Sequence, residues 1–164
     1  EGEERSGSSG ENHLLGEGDR APDFILTDQN HNQVSLGDFK GRPRFVVFIY
    51  THCEDVCPVV IENRKRLERD LAPSIGGGII FLAVTIDPER DTPEVLKRFV
   101  KKIGVETKDL YLLGGNPRDV EKVLLDYNIS VFRNRHTGHV VGHSSVGFAI
   151  DGEGVIRETL QFSI

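Results

Sequence analysis

Two runs of consecutive apolar residues stand out along the chain, Phe45 to Tyr50 and Ile79 to Ile86. Both are strand-length and rich in β-branched and aromatic residues. A strand with one wet face would alternate, so an unbroken apolar run predicts a central strand covered on both sides. Elsewhere the apolar positions recur at helical spacing. Ile61, Leu67 and Leu71 give a partly apolar face beside Arg64, Lys65, Arg66 and Arg69, and Gly76-Gly-Gly78 breaks the chain after it. Thr92 with Pro93 opens a second helix, with Val95, Leu96, Phe99 and Ile103 as its apolar positions and Gly104 at its close. Asn116-Pro117 opens a third, running to about Tyr127.

Shorter signals complete the order. Phe24 to Thr27 and Gln33 to Leu36 flank the polar stretch Asp28 to Asn32 and predict an N-terminal β-hairpin. Tyr111 to Leu113 reads as a short strand, and Arg133 to His143, which also holds His136 and His139, as a loop dense in imidazoles. Val146 to Ile150 and Val155 to Leu160 flank Asp151-Gly-Glu-Gly154, a strong hairpin signal. Strands joined through helices imply parallel neighbours, while the closing hairpin adds antiparallel ones. The fold class is therefore α/β, a central mixed β-sheet with helices on both faces.

Composition changes the picture in three places. Residues 1–19 are acidic and Gly/Ser-rich and read as a flexible tail, leaving 20–164 as one domain of ordinary size. A net charge of -6 makes nucleic acid a poor partner, and no apolar run approaches the roughly 20 residues of a membrane helix. Methionine is absent altogether, initiator included. The expectation is a processed or truncated piece whose signal or anchor precedes Glu1, and no thioether is at hand as a soft metal ligand.

Both cysteines, Cys53 and Cys57, lie in the polar loop that ends the Phe45 to Tyr50 run. Asp55 is a reasonable N-cap for the helix beyond, which would put Val56, Cys57 and Pro58 in its first turn. At four residues' spacing both sulfurs can point the same way, close enough for a disulfide or for one soft metal ion. The residues between them, Glu54-Asp55-Val56, include two acids. A catalytic thiol needs a cation or a helix N-terminus to stabilise its thiolate, and carboxylates oppose that. The balance suits a bound cation better than attack on a disulfide, and the three-residue spacer departs from the Cys-x-x-Cys of thiol-disulfide enzymes.

This layout, with cysteines after the first central strand, resembles the thioredoxin-like superfamily. Cys53-Glu-Asp-Val-Cys57-Pro58, Ile86-Asp-Pro-Glu-Arg-Asp-Thr-Pro93 and His143-Ser ahead of Phe148-Ala-Ile-Asp-Gly-Glu-Gly154 narrow it. Together they look like the Sco/SenC family of copper-delivering assembly factors for the dinuclear copper centre of cytochrome c oxidase. The resemblance implies copper as the metal and Cys53, Cys57 and His143 as its ligands. Thiolates select Cu(I), and imidazole suits Cu(I) and Cu(II) alike. Three ligands leave an open face through which a partner's sulfur or nitrogen can take the ion. His52 is a candidate extra ligand and Asp87 a candidate for orienting a ligand from behind. Arg90 and Asp91 read as a structural ion pair or cap, and His136 and His139 as solvated.

Two functions of different class follow. One is a metallochaperone that passes copper to the copper-binding subunit of cytochrome c oxidase. The other is a thiol-disulfide oxidoreductase that keeps that subunit's cysteines reduced through Cys53 and Cys57, with no need of a histidine. Other copper chaperones and thioredoxin-like reductants are the further partners implied. Either function implies an extracytoplasmic location, where cysteines can be oxidised, and the family resemblance implies a membrane tether upstream of Glu1.

Overall fold

The computed structural model describes residues 14–52, 60–144 and 146–162. Two short strands, β1 (Ile25–Thr27) and β2 (Gln33–Ser35), form the N-terminal hairpin, with Leu26 opposite Val34. Its turn is held by the buried Asp28 carboxylate, which accepts the N–H groups of Asn30 at 2.8 Å and Asn32 at 2.9 Å. A capped 3-10 turn, Leu36–Phe39, leads on to β3 (Arg44–Ile49).

From there the chain alternates. Helix α1 (Arg64–Ile75) leads to β4 (Ile80–Thr85), α2 (Pro93–Ile103) to β5 (Leu110–Leu113), and α3 (Pro117–Asp126) to the remaining strands. These are β6 (Val131–Arg133), β7 (Val140–His143), β8 (Val146–Ile150) and β9 (Ile156–Gln161). The main sheet has the order β5-β4-β3-β8-β9, parallel between β3, β4 and β5 and antiparallel from β3 through β9. It is the mixed sheet the pattern predicts.

Every residue of β3 and β4 is buried, and a strand's period of two sends alternate side chains to opposite cores. Val46, Phe48, Leu82 and Val84 pack toward α3 and the N-terminal hairpin. Phe45, Val47, Phe81 and Ala83 pack toward α1 and α2 through Leu71, Ile75, Leu96 and Val100. Helix α2 begins and ends as its residues require. Thr92 accepts the Val95 N–H at 3.3 Å, and Gly104 takes the left-handed conformation at φ 71° that closes a helix without a Cβ penalty.

Two segments differ from the sequence reading. The imidazole-rich stretch is no open loop: β6 and β7 pair as a two-stranded antiparallel hairpin around a turn in which Asn134 Oδ1 accepts from His136 and Thr137. Strands of three and four residues, with a bulge between Phe132 and Arg133, show too little alternation to be read from sequence. Leu15 to Asp19, which composition assigns to the tail, bond into the domain. The Leu15 N–H donates to Asn128 Oδ1 at 2.9 Å and the Gly18 N–H to the Ile156 carbonyl at 2.8 Å.

Gly147 of β8 faces Val47 across the ladder and lies directly under the Phe45 ring. A Cβ there would stand inside van der Waals contact of the ring's Cζ, and Phe45, fully buried against Phe81, has no space to retreat. Gly147→Ala should cost about 2–3 kcal/mol of stability, read as a lower urea midpoint at unchanged m. A Phe45→Leu partner substitution should recover part of that loss, since the two changes share one contact.

Candidate metal centre

Strand β3 delivers the chain to the site. Beyond Ile49 come the buried Tyr50, the half-buried Thr51 and the exposed His52. Cys53 and Cys57, with the acids between them and the expected N-cap Asp55, lie outside the described residues. What is described is the frame on either side of them.

That frame is anchored by Asp91, whose side chain is fully buried at the end of the turn after β4. Its Oδ1 accepts the Thr51 hydroxyl at 2.6 Å, and its Oδ2 accepts the Thr51 N–H at 3.0 Å and the Thr85 hydroxyl at 2.7 Å. A buried carboxylate is stable only with donors of this kind converging on it. The result is a fixed point two residues before Cys53. The turn itself is closed by the Asp87 carbonyl, which accepts the N–H groups of Arg90 at 3.2 Å and Asp91 at 2.9 Å.

Asp87, the candidate orienting residue, is buried, and its Oδ2 accepts from Arg90 Nε at 2.5 Å. Among the described residues, that ion pair and the turn engage its carboxylate and its backbone. His52 is exposed, with Nδ1 3.4 Å from the Thr51 hydroxyl. His136 and His139 are exposed on the β6–β7 hairpin.

His143, the last residue of β7, is half-buried opposite Val131. Its ring stands edge-on to Tyr50 with centroids 5.7 Å apart and planes at 81°, which brings the end of β7 to the end of β3. Nδ1 lies 2.8 Å from the Ser144 carbonyl oxygen. A carbonyl can only accept, so the proton belongs on Nδ1 and the lone pair on Nε2. Burial pushes the imidazole pKa below its ordinary value, outweighing the upward pull of the Ser144 bond. The outcome is a neutral, oriented ring with one nitrogen able to hold a metal ion. Among the described residues alone, no three His, Cys, Asp or Glu side chains converge into a metal-binding group.

Two contributors were not legible as site residues. Tyr50 reads as the last apolar residue of a strand, and its contact with the His143 ring depends on a pairing across the fold. Asp91 reads as a cap beside Thr92. The available signal was its place after a fully apolar strand, where a lone carboxylate must find buried donors.

Known proteins bear on the same site. A SCO2-like protein of Rickettsia typhi is 30% identical over 135 residues, covering 80% of this chain and 64% of its own length, so the chain spans just under two thirds of that relative. The solved structure of Bradyrhizobium japonicum ScoI with copper bound superimposes with a TM-score of 0.70 at 27% identity, over 87% of this chain and 90% of that one. A SCO1/SenC family lipoprotein of Bacillus anthracis superimposes with a TM-score of 0.74 at 26% identity, over 89% and 86%. These neighbours make the fold thioredoxin-like, as the sequence resemblance implies. The SCO1/SenC family model matches residues 13–163, nearly the whole of the sequence, and the chain belongs to that family.

Proposed function

We propose that this chain carries one copper ion as cargo between the thiolates of Cys53 and Cys57 and Nε2 of His143, and hands it to the dinuclear copper centre of cytochrome c oxidase during assembly. The observation that carries the reading is the His143 ring. It is held by Ser144 with Nε2 left for a metal, at the end of β7 that meets Tyr50. Cys53 follows Tyr50 by three residues, a reach of at most about 11 Å. The donor set fits copper: two soft thiolates favour Cu(I), and the imidazole is kept neutral by burial. Copper in the ScoI relative supports the choice of metal. Three protein donors leave a position for the acceptor's ligand, so the ion can pass by exchange without ever being free.

The acceptor implied by the family resemblance is the copper-binding subunit of the oxidase. On this reading the domain works outside the cytoplasm on a membrane tether, and the lipoprotein description of the Bacillus anthracis relative supports a tether. Among the described residues no helix is long and apolar enough to cross a membrane.

An anaerobic Cu(I) titration of the reduced protein tests the proposal. One copper per chain is expected for the parent, with tight uptake lost in Cys53→Ser and in Cys57→Ser. A parent that takes up no copper sinks it.

A further inference from the structure

The solvent face of α2 is basic in a domain, residues 20–164, whose 19 Lys and Arg nearly balance its 20 Asp and Glu. Lys97, Arg98, Lys101 and Lys102 are all exposed within Lys97-Arg-Phe-Val-Lys-Lys102, while the whole chain carries a net charge of -6. Elsewhere Arg42, Arg64, Lys65, Arg90, Lys122 and Arg157 sit in ion pairs, and the described cations outside them, such as Lys40, Lys108 and Arg118, are not grouped four to one helix face as on α2. Among the described residues none of the four α2 cations has a carboxylate within ion-pair distance. The one acid of the helix, Glu94, is turned to His31 at 2.9 Å. Cations in a last turn favour the helix dipole, which accounts for Lys101 and Lys102 but not for Lys97 and Arg98 a turn earlier.

The position of the strip is what makes it informative. Arg98, Lys101 and Lys102 rim a groove of about 490 Å³ with the half-buried Val95 and Phe99 in its lining, and the remaining wall is Thr51. Thr51 is the residue Asp91 clamps, two before Cys53. A group seated in this groove therefore lies against Thr51, two positions before Cys53 in the chain.

We infer that the α2 groove is the docking surface for the protein that exchanges copper with this site, and that this partner presents a carboxylate-rich segment next to its own metal-binding thiols. The inference rests on the copper reading above. Residues 1–19 hold six acids and one arginine, so they carry -5 of the net charge of -6 and residues 20–164 are close to neutral; Arg98, Lys101 and Lys102 at the groove, with Lys97 next to Arg98 in the chain, make the field there locally positive. Opposed fields of this kind orient an encounter and raise its rate, so the partner would arrive with its ligands facing the cysteines. An anionic membrane surface is the competing occupant. The half-buried Val95 and Phe99 beside Thr51 favour a protein segment, which can set apolar side chains against them next to its carboxylates, whereas a lipid headgroup layer offers them charge alone.

The test uses two synthetic dithiol peptides, one with its cysteines flanked by four glutamates and the other by four glutamines. Each is titrated into the reduced, metal-free protein at low ionic strength with amide shifts as readout. The glutamate peptide should bind about tenfold more tightly, shift the Val95 to Lys102 amides, and lose its advantage at high salt. Lys97→Gln/Arg98→Gln, which spares the helix end, should remove most of the difference, and the variant with Lys101→Gln and Lys102→Gln added should remove all of it. Copper-loaded protein should pass its metal to the glutamate peptide about tenfold faster. Equal binding of the two peptides, or shifts confined to other elements, would overturn the inference. So would phosphatidylglycerol vesicles that bind the parent but not the four-glutamine variant while both peptides bind alike. If the chain takes up no copper the proposed function falls, and the metal-free titration still decides the surface.

Discussion

Asp91→Ala is expected to lower the unfolding free energy by about 3–4 kcal/mol, the cost of stranding buried donors that converge on one carboxylate. The Thr51 hydroxyl and N–H and the Thr85 hydroxyl all lose their acceptor together, and Thr85 is fully buried, out of reach of bulk solvent. Asp91→Asn keeps one acceptor oxygen and a hydroxyl can rotate to meet its amide, so its loss should be about 1–2 kcal/mol. A denaturant midpoint reads both. The second readout is copper. Thr51 leads directly into the cysteine loop, so freeing it should cost about 10- to 100-fold in Cu(I) affinity in a variant that remains folded, as when the support behind a metal ligand is lost. An Asp91→Asn protein that binds copper as tightly as its parent would make Asp91 a stability residue alone.

If His143 is the third copper donor proposed above, His143→Ala should cost more than about 100-fold in Cu(I) affinity, since it removes a donor and not merely its support. The rate at which the reduced Cys53 and Cys57 react with a small disulfide should stay nearly unchanged, since that chemistry needs no imidazole. This pair of outcomes separates the copper carrier from the thiol-disulfide oxidoreductase. Unchanged affinity with unchanged thiol reactivity would favour the oxidoreductase.

The same ring imposes a pH dependence whose sign follows from burial. Its pKa is lower in the folded protein than the ordinary 6.5, so between the two values the unfolded chain binds the extra proton. The stabilising contribution is complete above the unfolded pKa and is lost as pH falls through the folded one. Stability should therefore decline on acidification below about 6.5, and His143→Gln should flatten that decline. Copper uptake by the parent should persist somewhat below pH 6.5, because Nε2 stays deprotonated there.

Much of this architecture is written locally. Thr92-Pro93 and Gly104 mark the two ends of α2 to the residue, because capping needs only a hydroxyl, a ring without an N–H and a residue at home at positive φ. Phe45 to Tyr50 and Ile79 to Ile86 declare two strands with no wet face, and those strands lie side by side at the centre of the sheet. The β6–β7 hairpin escaped because its pairing is short and bulged, and its stability comes from Val131 and Val140 packing on the core rather than from any alternation of its own.

The candidate site divides along the same line. Two thiols and an imidazole were nominated from residue type and motif, because side-chain chemistry is intrinsic to each residue, and the copper titrations above are what test them. That the His143 ring meets Tyr50, that Asp91 holds Thr51 from forty positions away, and that the cations of α2 gather at the wall Thr51 forms were decided by the tertiary structure alone. Each of these is a contact between segments that only the folded sheet brings together, and hydrophobic pattern records which face is buried without recording what it is buried against.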